Sequence, residues 1–468
     1  MDKTFPSAKQ AVEEITEGAS VAIAGFGVPH RWPSDLIRAL HDQGTRGLTV
    51  VCNVLGVGPF SPQILAENHQ ISHLIAAFST LAGVHTPAEE QIEHGEIDFE
   101  LVPQGTLVER LRAGGAGLAA FYTPVGVGTP IAENKEVRSF DGQLYLLEQA
   151  LKVDYTFVRA QVADTLGNVA FFGGSQNFAP SFAKAARATI VEADQIVAPG
   201  EIPPERVDLP GIFVDRVVPS SVGQAITPEM LAQATMGKEL RPTNVPRTYL
   251  GKPGLTREMM ALKAAQLLQE GTYVNLGIGI PTLVSNFLFD RDIILHAENG
   301  VLGYGPIQPD EKANPDLYNA GGQLVSLQPG ASFFDTVTAF EMARGGHLQT
   351  VLLGGFQVDV EGNLANWTMP EMVGGGVGGA MDLVAGHSET IVIMEHTDKY
   401  GRPKLLHHCT YPLTGLHCVQ VVVTDLALIR IAPHGMILEE VAPGFTAGEI
   451  QSVTEAPLIV SASLKTMF

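Results

Sequence analysis

The feature that most constrains this chain is that it says several things twice. Glu17-Gly18 returns as Glu270-Gly271, and Gly25-Phe26-Gly27-Val28-Pro29 returns as Gly277-Ile278-Gly279-Ile280-Pro281. Val54-Leu55-Gly56-Val57-Gly58-Pro59 recurs as Val301-Leu302-Gly303-Tyr304-Gly305-Pro306. Ala163-Asp164-Thr165-Leu166-Gly167-Asn168-Val169-Ala170 recurs as Val358-Asp359-Val360-Glu361-Gly362-Asn363-Leu364-Ala365, and Thr189-Ile190-Val191 as Thr390-Ile391-Val392. The anchors keep their order, with insertions between them. One Gly-rich match arises by chance; five in order imply two related halves. Residues 1–224 and 255–468 are the expected domains. The join at 225–254 carries Pro228, Pro242, Pro246 and Pro253 and lacks apolar periodicity, which reads as a linker.

The order of elements reads most clearly at the start of the first half, as strand, turn, helix, strand. A helix over Lys9–Ile15 precedes a strand over Ser20–Ala24. Ser34 then reads as the N-cap of a helix through Leu40, followed by a strand over Leu48–Cys52. Alternation of this kind predicts parallel sheets with flanking helices. With 45% hydrophobic and 17% charged residues in 468, and a mean hydropathy of +0.15, the chain has material for large cores. A net charge of -21 argues against nucleic acid, which needs a basic face. No apolar run reaches membrane-spanning length, and Met1 to Pro6 carry no signal-peptide core. Cys52, Cys409 and Cys418 are scattered and odd in number, which predicts a reducing, cytoplasmic location.

The stretch most suggestive of chemistry is Leu295-His296-Ala297-Glu298-Asn299-Gly300. Ile293-Ile294-Leu295 reads as a buried strand that ends in a carboxylate and then a tight turn. The carboxyl end of a strand is where ligands meet an α/β sheet. Glu298 there suits a base, a metal ligand or a nucleophile, or else a cap for a following helix. The offset that pairs Val54 with Val301 sets Val51 opposite Glu298. A structural cap belongs in both copies, so a carboxylate present in only one favours function.

Longer phrases carry a resemblance. In the second half they are GIGIPTLVSNF (Gly277 to Phe287), ENGVLGYGP (Glu298 to Pro306), QPGASFF (Gln328 to Phe334), Arg344-Gly345-Gly346-His347, GNLANW (Gly362 to Trp367), GGAMDLV (Gly378 to Val384) and Pro412-Leu413-Thr414-Gly415. In the first half they are Pro103-Gln104-Gly105-Thr106 and the run from Arg112 to Thr129. Together these resemble the type I coenzyme A transferases, especially the succinyl-CoA:3-oxoacid CoA transferases, with α-like and β-like parts fused. The resemblance implies two related open α/β domains of the CoA transferase-like, NagB/RpiA type. It implies CoA transfer between an acyl-CoA and a carboxylic acid, with Glu298 as the nucleophile. Gly379 and Ala380 would supply N–H groups to the oxyanion, and Asn53 and Gln104 would bind substrate oxygens. Gly277, Asn299, Gly378 and Met381 would contact substrate or CoA. No metal or redox cofactor is required, and a homodimer is expected.

Three departures stand out, and the first two bear on the substrate. The first glycine loop, Ala24-Gly25-Phe26-Gly27-Val28-Pro29, is short by the family pattern. Val54 stands where a second Asn is usual, and Ala297 where Ser precedes the nucleophile. Arg31, in His30-Arg31-Trp32, is read as a surface residue rather than a substrate ligand. Trp32 and Trp367 are read as packing, and His407-His408-Cys409 as structural, since neighbours on a strand face opposite ways. Competing readings are an acyl-CoA hydrolase on the same scaffold, a ligand sensor and a sugar-phosphate isomerase. The sensor lacks a basic segment for DNA, and the isomerase lacks basic residues around its glycine loops.

Overall fold

The computed structural model describes residues 2–27, 31–80, 85–221, 244–308, 314–370, 372 and 374–468. Val28 and Pro29 of the first glycine loop and His30 after it lie outside the described residues, as do 222–224 of the expected first domain and 225–243 of the expected linker.

Apolar runs such as Val50-Val51-Cys52 form strands covered on both faces, as parallel sheets require. In the first half seven strands run parallel in the order Arg216–Pro219, Ala186–Val197, Val153–Asp164, Ser20–Ile23, Leu48–Val54, Ile71–Phe78 and Asp98–Leu101. The second half repeats the first five strands of this plan. Its parallel strands follow the order Val421–Val423, Glu389–Ile393, Thr350–Gly354, Thr272–Leu276 and Ile293–Ala297. Antiparallel strands extend both sides: Val301–Ile307 and Val325–Phe333 beyond Ile293–Ala297, and Ala427–Ala432 and Gly435–Val441 at the other end, where Leu458–Thr466 then adds parallel.

The repeated DxxGN phrases build the same loop twice. Asp164 Oδ1 accepts from the N–H groups of Leu166 and Asn168, and Asn168 Nδ2 donates to Asp164 Oδ2. Asp359 does the same with Glu361 and Asn363. Gly167 and Gly362 take φ of 88° and 79° at the turn, a region open to glycine.

The halves interlock. Val337 and Phe340 of the second half pack into the core of the first, beside Leu107, Leu111 and Phe182. Phe26 stacks on Phe178 at 5.8 Å and touches the cores of both halves.

Local expectations need adjustment. The first helix is Ala8–Val12, shorter than expected. Ser34 begins the helix Ser34–Gln43 rather than capping it, because its hydroxyl donates to the carbonyls of Trp32 and Phe60. Trp32 is buried against Gly25, and Trp367 is half-buried with its indole N–H on Leu413 O at 3.2 Å. His407 and His408 lie on a bend after the strand Leu405–Leu406, both exposed, their rings 5.8 Å apart. Among the described residues no helix is long and apolar enough to cross a membrane.

Candidate active site

Glu298 lies at the apex of a hairpin. Strand Ile293–Ala297 pairs antiparallel with Val301–Ile307, His296 opposite Leu302 and Ala297 opposite Val301. The turn closes with Gly300 N–H on Ala297 O at 3.0 Å. Gly300 has φ of 102°, and a Cβ there would stand 1.9 Å from Phe334 O, so only glycine fits. No helix follows Glu298, which removes the capping alternative.

Glu298 is 6% exposed. Its Oε2 accepts from Asn275 Nδ2 at 3.0 Å, across from the neighbouring strand. Burial raises its pKa above the usual carboxylate value, and the Asn275 amide opposes that rise. Asn275 Nδ2 also reaches His296 Nδ1 at 3.1 Å. Burial holds His296 down to about 4, so its ring is neutral and Nδ1 accepts. Among the described residues, three buried atoms around this turn have no hydrogen-bond partner: Asn275 Oδ1, His296 Nε2 and Asn299 Oδ1. The sequence reading missed Asn275. The signal was there, an amide between Val274 and Leu276 in the middle of an apolar strand.

The sheet register also corrects the comparison of the two copies. Ile23 pairs with Cys52 in the first half, and its counterpart Asn275 pairs with His296 in the second. Counting on two residues from each places Val54, not Val51, at the position of Glu298. The twin residue is still apolar.

Gln104, Asn53, Gly378 and Gly379 form a second group, where the halves meet. Asn53, at the end of Leu48–Val54, accepts from Gln104 Nε2 at 2.8 Å, and Gln104 N–H donates to Gly378 O at 2.9 Å. A Cβ on Gly379 would stand 2.9 Å from both Gln104 Oε1 and the Phe340 ring; one on Gly378, at φ of 54°, would stand 2.7 Å from the Phe78 ring. Ala380 opens the short helix Ala380–Val384. The N–H groups of Gly379 and Ala380 have no acceptor among the described residues. Met381 is buried with Val125 and Val377. Next to it Asp382 accepts from Gly105 N–H at 2.9 Å and from Arg344 at 3.1 Å. Burial pushes Asp382 up to about 6 while Arg344 pulls it back.

The remaining expected residues make bonds of their own. Gly277 is a packing position: its N–H donates to Leu352 O, its carbonyl accepts from the Thr282 hydroxyl, and a Cβ would meet Leu352 O at 2.9 Å. Asn299, next to Glu298 in the turn, donates its Nδ2 to Tyr318 O at 2.8 Å. Arg31 is not on the surface. It is 4% exposed, forked onto Asp316 of the second half and bonded to Asp194 at 3.0 Å. Beside Gly105, Glu109 and Arg344 line a cavity of about 390 Å³ between the halves, to which Glu298 does not contribute.

Comparison with known proteins shows the family. The sequence profile described as Coenzyme A transferase matches residues 5–220 and 257–452. Human mitochondrial succinyl-CoA:3-ketoacid coenzyme A transferase 2 is 38% identical over 486 residues, spanning 99% of this chain and 91% of that protein. One subunit of the 3-oxoadipate CoA-transferase from Pseudomonas putida is 48% identical over 206 residues, 44% of this chain and 97% of that subunit. An acyl-CoA transferase apoenzyme from Escherichia coli O157:H7 shares the fold, with a TM-score of 0.80 at 22% identity over 100% of this chain and 95% of that one. The relatives overturn the cytoplasmic expectation: four that span nearly the whole chain, from mouse, human and rat, are named mitochondrial. Scattered free cysteines report a reducing compartment without saying which one. The profile covers both halves, and the human relative aligns with nearly all of this chain: the chain belongs to the coenzyme A transferase family.

Proposed function

We propose that the chain moves coenzyme A from an acyl-CoA to a carboxylic acid by way of a thioester on Glu298, with succinyl-CoA as donor and a 3-oxoacid as acceptor. The observation that carries this reading is the buried carboxylate at the hairpin apex, held by the Asn275 amide. A desolvated carboxylate is a competent nucleophile toward a thioester carbonyl. A Glu298 oxygen attacks that carbonyl, the C–S bond breaks, and CoA leaves as thiolate from a mixed anhydride. The thiolate then attacks the Glu298 carbonyl. The released acid leaves as carboxylate, and the coenzyme stays as glutamyl thioester. The acceptor carboxylate reverses both steps, so electrons and protons balance without a redox partner.

Each tetrahedral intermediate carries an oxyanion, and on this reading the N–H groups of Gly379 and Ala380 stabilise it. Asn53 and Gln104 hold the acid. Coenzyme A is a substrate here, and the reaction calls for no metal or other cofactor. The choice of acids follows the names of the full-length relatives; 3-oxoadipate is the alternative, after the Pseudomonas putida protein. The working unit is a homodimer, the commonest closed symmetry, which sedimentation measures directly.

The test is chemical. Incubation with succinyl-CoA followed by borohydride reduces a glutamyl thioester to an alcohol, and peptide mass spectrometry should find that change at Glu298 alone. Turnover with no modified Glu298 defeats the reading, and steady release of free CoA without an acceptor identifies a hydrolase instead.

A further inference from the structure

Resting on that reading of Glu298, we propose that Arg31 and Asp316 are positioning residues, a fork across the two halves that holds the Asn299 side of the nucleophile turn in place. Arg31 follows the shortened glycine loop of the first half. Its Nε and Nη2 donate to the two oxygens of Asp316, in the second half, at 2.5 Å each. Its Nη1 is held by Asp194, which Arg159 in turn engages. The guanidinium therefore has a fixed plane, and a bidentate fork transmits that plane to Asp316.

From Asp316 the path to the nucleophile is short. An Asx turn on Asn314 sets the Asp316 backbone, whose carbonyl accepts from Gly174 N–H at 3.0 Å. Two residues on, the Tyr318 hydroxyl donates to Gly174 O at 2.9 Å, and Tyr318 O takes the Asn299 amide at 2.8 Å. Gly174 has no side chain for good reason: a Cβ would stand 2.9 Å from Asn299 Nδ2 and 3.3 Å from the Tyr318 ring. The first half thus grips the segment 316–318 at Arg31 and at Gly174, and that segment grips the residue next to Glu298.

Stability alone is a weak reason for such a pair. Buried ion pairs offset their desolvation only partly, and their best-attested use is to fix one arrangement against others. The arrangement fixed here is the docking of one half on the turn that carries the reacting carboxylate.

Arg31→Lys keeps the charge and loses the fork; Asp316→Asn keeps the side-chain shape and one oxygen. Both should lower kcat for CoA transfer, the lysine variant by a factor of order 10² from a displacement of roughly an ångström, with KM for succinyl-CoA unchanged. Rapid-quench measurement of Glu298 labelling should show the same loss in the first half-reaction. If both variants label Glu298 and turn over at the wild-type rate, whatever their melting temperatures, the fork is structural only and the proposal fails. Should the lysine variant not fold, Asp316→Asn decides by the same readout. A wild-type protein that never labels Glu298 overturns the reading of the site itself, a different result from equal labelling of wild type and variants.

Discussion

The side-chain amide of Asn275 donates to Oε2 of Glu298 at 3.0 Å from the adjacent strand. Burial drives this carboxyl toward its neutral form, and the amide favours the anion. Removing the amide leaves burial unopposed. Asn275→Ala should therefore shift the acidic limb of the kcat profile to higher pH. A lost hydrogen bond to a charged group is worth about 1.5–3 kcal/mol, or about one to two pH units. A pH–rate series checks this, and an unmoved limb denies Asn275 the role.

The same burial makes Glu298 a burden on the fold. Its folded pKa lies above the unfolded value of about 4.3. The folded state therefore binds the proton more tightly, and stability is lost as pH rises through the folded pKa. Glu298→Gln should raise the melting temperature at neutral pH, and the gain should shrink as the pH falls toward about 4. Activity in this variant should vanish. Calorimetry at both pH values gives the answer, and a lower melting temperature at pH 7 contradicts it.

Glu298→Asp tests reach rather than charge. Removing one methylene draws the attacking oxygen back by roughly an ångström, enough for a loss of order 10²-fold. The circular dichroism spectrum should match wild type. Full activity in this variant would mean that the turn has slack that the hairpin geometry does not suggest.

Gly379→Ala places a methyl 2.9 Å from Gln104 Oε1 and from the Phe340 ring. The Gln104 amide is the mobile neighbour and should yield, breaking its bond to Asn53. We expect a rise in KM for the acceptor acid together with a fall in kcat of about tenfold or more. Wild-type kinetics would separate this turn from the acid site.

Much of this was legible before any coordinates. Repeated phrases announce two copies of one sheet plan, and the structure repeats five parallel strands in the same order. Glu298 stood out because a carboxylate closes an apolar strand. Arg31 was misread for a reason in the physics. Nothing local distinguishes a surface arginine from one whose partner, Asp316, lies 285 residues away. The match of Glu298 to Val51 failed because phrase matching assumes equal spacing. Cys52 and His296 hold the same register, yet one strand runs on to Val54 while the other turns back at Glu298. Asn275 was overlooked because strand patterns are read for their apolar members.

That early reversal has a mechanical consequence. In the first copy the strand Leu48–Val54 runs on to Val54, and the chain crosses to a parallel neighbour; in the second the chain doubles back on itself after three residues. A reacting group carried on a crossover loop can swing, whereas one at the tip of a braced hairpin has almost no travel of its own. On the proposed reading of Glu298, the travel in a cycle then belongs to the incoming molecules, which come to the carboxylate and leave it, while the Arg31–Asp316 fork keeps the opposing half docked on the turn.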